Sequence, residues 1–203
     1  MEGRTAALAL GRGLSRAAAA LLTALLAAPA FAEISEDFAI RHYDVDARKG
    51  RSLNDAVVAS SPITATGASG RRFHGYTDWY IKWTWRHRYE ADGRCRITSV
   101  NVSLTGSILL PRLTGGTATQ HATFDRYLTA LREHEEGHRR IAQEAARDIE
   151  RTLLMLPEYP DCRQLEAEAN TRARARLDAH LEREKAYDRD TSHGRTQGAV
   201  LRD

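Results

Sequence analysis

The sequence predicts an α+β domain in which a small antiparallel sheet packs on one long helix. Three observations predict it. From Trp79 to Tyr89 the apolar residues Trp79, Ile81, Trp83, Trp85 and Tyr89 hold the odd positions, which is the period of a half-buried strand. Phe124, Tyr127, Leu128, Leu131, Ile141, Ala142, Ala145, Ile149 and Leu153 recur at steps of three and four, which is the period of an amphipathic helix. Pro111 and the Gly-rich stretch from Thr114 to Thr117 separate the two patterns, as turn residues do.

The chain opens with Arg4, Arg12 and Arg16, an apolar run from Ala17 to Ala28, and Ala30-Phe31-Ala32. These are the basic, apolar and small-residue parts of a secretory signal peptide. The apolar run is shorter than the roughly 20 residues that a membrane-spanning helix needs. The expected division is a leader over 1–32, cleaved after Ala32, and a single domain over 33–203 with no stable membrane span. The protein is then exported, and periplasmic or secreted. The sequence holds 30 Lys and Arg against 27 Asp and Glu, and the leader takes three of the first and one of the second. What remains is 27 against 26, a net charge of +1. That leaves no strong basic field for phosphates, which argues against a nucleic-acid partner.

Along the domain, Phe38 to Val45 reads as a short strand, and Leu53 to Val58 as a short helix in a Ser-, Ala-, Thr- and Gly-rich stretch. Ala91-Asp92-Gly93 supplies a hairpin turn after the aromatic strand. The returning strand runs from Cys95 to about Leu104, and its apolar parity shifts between Ile97 and Val100, as one inserted bulge residue would cause. The long helix is expected to start at a Thr123 cap and to stop by Leu156, ahead of Pro157. A second helix, Cys162 to Tyr187, carries a thin apolar stripe and is expected on the surface. The stretch from Asp188 to Asp203 shows no periodicity and reads as a tail. Cys95 and Cys162 are the two cysteines. In an oxidising compartment they are expected to pair, closing a loop worth on the order of 4 kcal/mol. Neither belongs to a C-x-x-C, so zinc ligation by them is not expected.

The chemistry lies in the long helix. His134-Glu135-Glu136-Gly137-His138 is an H-E-x-x-H. Residues four apart share a helix face, so both imidazoles reach one cation, and Glu135 flanks it as a base for water. The motif interrupts an apolar stripe. Without a cation, two His and a Glu in that seam would need other partners, such as Glu133 or Arg139. A catalytic zinc takes three protein ligands. Glu144 lies off the His134/His138 face, and Glu158 sits between Pro157 and Pro160. The tail offers His193, with Asp188 or Asp190 to orient it, and His193 is the expected third ligand.

The chain resembles the bacterial family of predicted secreted zinc-dependent proteases, domain of unknown function family 922. The resemblance rests on Tyr43-Asp44-Val45, Thr77-Asp78-Trp79 through Trp83, Gly93-Arg94-Cys95, Pro111, Leu128 to His138, Cys162, and Tyr187-Asp188-x-x-Thr191-x-His193-Gly194. Leu113 and Phe124 stand where that family has Trp. The resemblance implies a His-Gly at 193–194, which favours His193 as a ligand. The expected function is zinc-dependent peptide-bond hydrolysis on a zincin-like fold. Zn2+ is held by His134, His138 and His193, Glu135 is the general base, and Tyr187 donates to the developing oxyanion. The expected partner is a peptide or protein substrate. Two other readings share the motif: a non-catalytic zinc-binding envelope protein, with Asp188 or Glu144 closing the site, and a cell-wall amidase.

Overall fold

The computed structural model describes residues 31–50, 52–64 and 72–202. Residues 1–30, the bulk of the expected leader, lie outside the described residues. The elements are β1 (Phe31–Asp46), α1 (Leu53–Ser60), β2 (Tyr76–Tyr89), β3 (Cys95–Thr114), α2 (Ala118–Leu154) and α3 (Cys162–Thr191). Single 3-10 turns follow β1 at Ala47–Lys49 and α3 at Arg195–Gln197.

The expected hairpin is present. β2 and β3 pair antiparallel, and Gly93 takes φ +89° in the turn between them. Arg86 stands opposite Ser99 and His87 opposite Ile97, which leaves Thr98 as the inserted bulge residue. The sheet departs from expectation in one respect: β1 runs parallel to β3, and the order β1-β3-β2 makes the sheet mixed rather than antiparallel. A period-two pattern reports which face a strand buries and is blind to its direction. Pro111 does not end the strand but lies within β3, opposite Tyr43. β2 begins opposite Leu109, so beyond that point β3 has a partner on one side only and tolerates a missing N–H.

The inner face of β3 buries Val100, Val102, Leu104, Ile108 and Leu110. Trp79, Trp83 and Trp85 of β2 pack against that core from their half-buried face. α2 crosses this layer. Its 37 residues span about 55 Å at 1.5 Å each. It starts earlier than the expected Thr123 cap, because Thr117 and Gln120 form a reciprocal capping box. Arg139 of α2 reaches β1, donating to Glu36 at 2.7 Å with its guanidinium 5.2 Å from the Phe38 ring centre.

α3 is more than a surface helix. It buries Leu165, Ala169 and Ala173 completely against α2, and the two alanines leave room for close approach. It also runs past Tyr187 to Thr191, so Asp188 lies on its last turn instead of in a tail. The residues beyond fold back, and Ala199 and Leu201 pack against a second core around Val45, Phe124 and Leu131. Cys95 and Cys162 form a disulfide with Cα atoms 5.0 Å apart, tying the start of β3 to the start of α3. Glu158 lies at that end, paired with Arg94 at 2.9 Å and Arg96 at 3.6 Å. No described helix is long and apolar enough to cross a membrane.

Candidate metal centre

α2 and α3 lie antiparallel, because His138 faces Glu184 while Asp148 faces His180. After Ala169 and Ala173, the inner stripe of α3 turns polar at steps of four: His180, Glu184, Asp188. These residues meet the polar interruption in the stripe of α2. His134, Glu135 and His138 are 3%, 4% and 7% exposed, so the motif lies in the seam and not on a solvated face. The surface partners open to it are taken: Glu133 pairs with Arg140, and Arg139 with Glu36.

His134, His138 and Asp188 bring three ligand atoms together. The two Nε2 atoms are 3.3 Å apart, and each is 3.2 Å from Oδ1 of Asp188. Donors placed about 2.0–2.1 Å from a tetrahedral cation stand about 3.3–3.4 Å apart. The observed triangle has that size, so the residues fit a small divalent cation bound by N and O. The outward nitrogens are also occupied. Nδ1 of His134 lies 3.0 Å from Oε1 of Gln197, and Nδ1 of His138 contacts Oε2 of Glu184. Each Nδ1–H donates to its oxygen, which leaves both Nε2 lone pairs directed at the centre. Glu184 is itself held, its Oε1 accepting from the Trp79 indole at 2.9 Å.

Electrostatics point the same way. Burial disfavours the charged form of His138, but hydrogen bonds to Asp188 and Glu184 outweigh it and raise the pKa to about 10. Burial would raise the Asp188 pKa, yet its bonds to His134 and His138 pull it well below the ordinary carboxylate range. Carboxylates crowded around two buried imidazoles call for a positive charge, as a proton or as a metal ion.

Glu135 lines the same cleft and is held from β2. Thr77 of β2 donates to Oε2 at 2.7 Å and also lies 3.2 Å from the Glu135 backbone oxygen. A side chain on Gly75 would stand 2.5 Å from Oε1, so the chain entering β2 passes directly over this carboxylate and needs glycine there. Burial raises the Glu135 pKa, against the lowering by Thr77. A side chain at Gly137 would run into the Tyr187 hydroxyl and ring. Tyr187 stacks on His134, with ring centres 5.0 Å apart and planes 12° from parallel. Its hydroxyl donates to the His134 carbonyl at 3.2 Å and accepts from Gln197 at 3.0 Å. His193 stands outside the ligand triangle. Its Nδ1 is 3.2 Å from Asp188 Oδ1 and its ring centre 5.0 Å from that of Phe73. Ser192 and His193 take left-handed φ of 50° and 53°, and this reversal carries the ring away from the two imidazoles.

Sequence reasoning brought together His134, Glu135 and His138. It ended α3 at Tyr187 and so left Asp188 in a tail, as a carboxylate to orient His193 or, in the non-catalytic reading, to close the site. Glu184, inside the expected helix, was missed, as were the roles of Trp79, Thr77, Gly75 and Gln197. The step-four run 180-184-188 was the available signal. His87 lies beside Cys95 and Cys162, but the disulfide leaves no thiolate there.

A cleft of about 1070 Å³ opens over the centre. Its polar floor holds His134, Glu135, His138 and Asp188, and Ile63, Phe73, Leu131 and Leu201 add apolar wall. The sequence pattern of a bacterial protein family of unknown function, DUF922, matches residues 40–194, a span that includes every member of the triangle. No curated protein and no solved structure matches the chain.

Proposed function

The chain belongs to that bacterial family of unknown function, DUF922, and within it we propose that this protein is an exported zinc-dependent hydrolase of peptide bonds with a zincin-like fold. The observation that carries the reading is the triangle of His134 Nε2, His138 Nε2 and Asp188 Oδ1, with Glu135 beside it in the same cleft. His134, His138 and Asp188 hold the ion, while Gln197 and Glu184 fix the two imidazoles in the ligating tautomer. Zinc rather than magnesium or calcium suits a set with two imidazole nitrogens. A zinc ion supplies Lewis acidity, which makes water acidic and a carbonyl electrophilic.

Glu135 then handles the proton. Thr77 occupies Oε2, so Oε1 accepts the proton from water as the water oxygen bonds to the carbonyl carbon. Burial raises the affinity of this carboxylate for the proton, so Glu135 holds it long enough to pass it to the leaving nitrogen. The apolar wall suits a peptide with apolar side chains. The disulfide supports export, since such bonds persist in oxidising compartments.

The test uses purified protein, metal analysis and a peptide-library digest. The expected result is about one zinc per chain, and turnover that Glu135→Gln abolishes while keeping the zinc. Parent-like turnover by Glu135→Gln would show the mechanism to be wrong.

A further inference from the structure

An anion forming on the substrate oxygen needs a donor besides the ion, and Tyr187 is poorly placed for it. Its hydroxyl is engaged by the His134 carbonyl and Gln197, and it does not line the cleft. His193 lines the cleft, but its Nδ1 is held by Asp188. His74, on the segment leading into β2, is arranged differently. It lines the cleft one residue before Gly75, whose backbone lies against the Glu135 carboxylate. Two tyrosines from different elements hold it. Tyr43 of β1 donates to its carbonyl at 2.8 Å, and the Tyr127 hydroxyl of α2 lies 2.7 Å from Nδ1. Tyr127 is 2% exposed, and its hydroxyl has no other hydrogen-bond partner among the described residues. The hydroxyl proton therefore goes to Nδ1, and the ring proton sits on Nε2. That Nε2 has no partner among the described residues, and the ring lines the cleft.

We propose that His74 is a catalytic residue whose Nε2–H, set by Tyr127, donates a hydrogen bond to the substrate carbonyl oxygen as that oxygen becomes an oxyanion. This rests on the hydrolase reading above. As the water oxygen bonds to the carbonyl carbon, the C=O electron pair moves onto the oxygen. It returns when the C–N bond breaks and the nitrogen leaves with the proton from Glu135. No proton leaves His74 at any point. Burial lowers the pKa of the ring, which keeps it neutral, with a single N–H, at neutral pH.

A role limited to packing predicts different results from a role in stabilising charge. The experiment compares the zinc-loaded parent with His74→Phe, His74→Gln and Tyr127→Phe, with a thermal melt and zinc content measured for each. Its readouts are kcat, KM, the inhibition constant of a phosphinic peptide that mimics the tetrahedral state, and ¹⁵N shifts of the His74 ring. His74→Phe is expected to keep its zinc and its KM and to lose kcat by about 10²–10³-fold, the range for one oxyanion donor. Its affinity for the phosphinic peptide should fall with kcat. His74→Gln, which keeps an N–H near the same place, should recover part of both and guards against a folding defect in His74→Phe. Tyr127→Phe should lose less, and its ring should shift away from the Nε2–H tautomer seen in the parent. The role is overturned by an active parent with an equally active His74→Phe, by a loss confined to KM, or by an Nδ1–H tautomer in the parent. A zinc-loaded parent that neither cleaves peptides nor binds the phosphinic peptide overturns the hydrolase reading, and this role with it.

Discussion

Asp188 and His193 stand five residues apart, and only the carboxylate meets the two imidazoles. Asp188 rides on the last turn of α3, which keeps its direction, whereas His193 follows the left-handed reversal at Ser192. The two residues are predicted to differ in zinc affinity. Asp188→Asn removes a ligand and should lose more than the 10–100-fold typical of outer partners, while Glu184→Gln and Gln197→Ala should fall within about that range. His193→Ala, which removes contacts to Asp188 and the Phe73 ring, should lose no more than they do. Competition against a chromophoric chelator measures all four. A larger loss for His193→Ala than for Asp188→Asn would restore the histidine as the ligand. The pair His134/His138 was legible because both lie on one helix at step four. Asp188 was legible only as a carboxylate to orient His193 or to close the site in place of it, because its direct contact with His138, fifty residues away, depends on how two helices pack.

The helix pair sets a requirement at Gly137, in the middle of the motif. Ala in place of Gly favours an isolated helix by about 1 kcal/mol. Here the new Cβ would strike the Tyr187 ring, and overpacking costs about 1–3 kcal/mol. The second effect should win, so Gly137→Ala is expected to lower the melting temperature. In a Tyr187→Ala background the obstacle is gone, and the same substitution should become stabilising by about 1 kcal/mol. A double-mutant thermal cycle reads the change of sign, and an unchanged sign would mean that Tyr187 is not the obstacle. The bulge at Thr98 was legible as a parity shift, since an extra residue flips every later side chain. The parallel pairing of β1 left no such mark.

For the whole molecule, the metal-free and loaded forms should respond to pH in opposite directions. In the metal-free form the folded pKa of His138 is about 10 against an ordinary 6.5. Its contribution is therefore complete below about pH 6.5 and is lost as pH rises through about 10. Tyr43, raised to about 12 chiefly by burial, acts in the same direction at higher pH. With zinc bound, the ligands must stay deprotonated, so stabilisation by zinc falls as pH drops. Melting curves from pH 6 to 10, with chelator and with zinc, should slope oppositely; parallel slopes would count against His138 as a ligand. Replacing both Cys95 and Cys162 by Ser should cost about 4 kcal/mol through the 67-residue loop. Zinc affinity should persist, because the bridge lies at the end of α3 away from Asp188.

What the sequence determined by itself is whatever one element encodes through its own periodicity: the hairpin, its bulge, the two helices, and the H-E-x-x-H on one face of α2. The cysteine pairing was legible too, since two thiols allow one bridge. What only the tertiary structure decided is everything that needs two elements at once. It set Asp188 rather than His193 against the two imidazoles, seated Glu184 and Gln197 behind them, turned the Tyr187 hydroxyl toward a backbone carbonyl, and laid Gly75 over Glu135. Periodicity tells each segment which face to bury. The partner of that face, and the side chains it brings within 3 Å or so, follow from packing distances set across the whole chain.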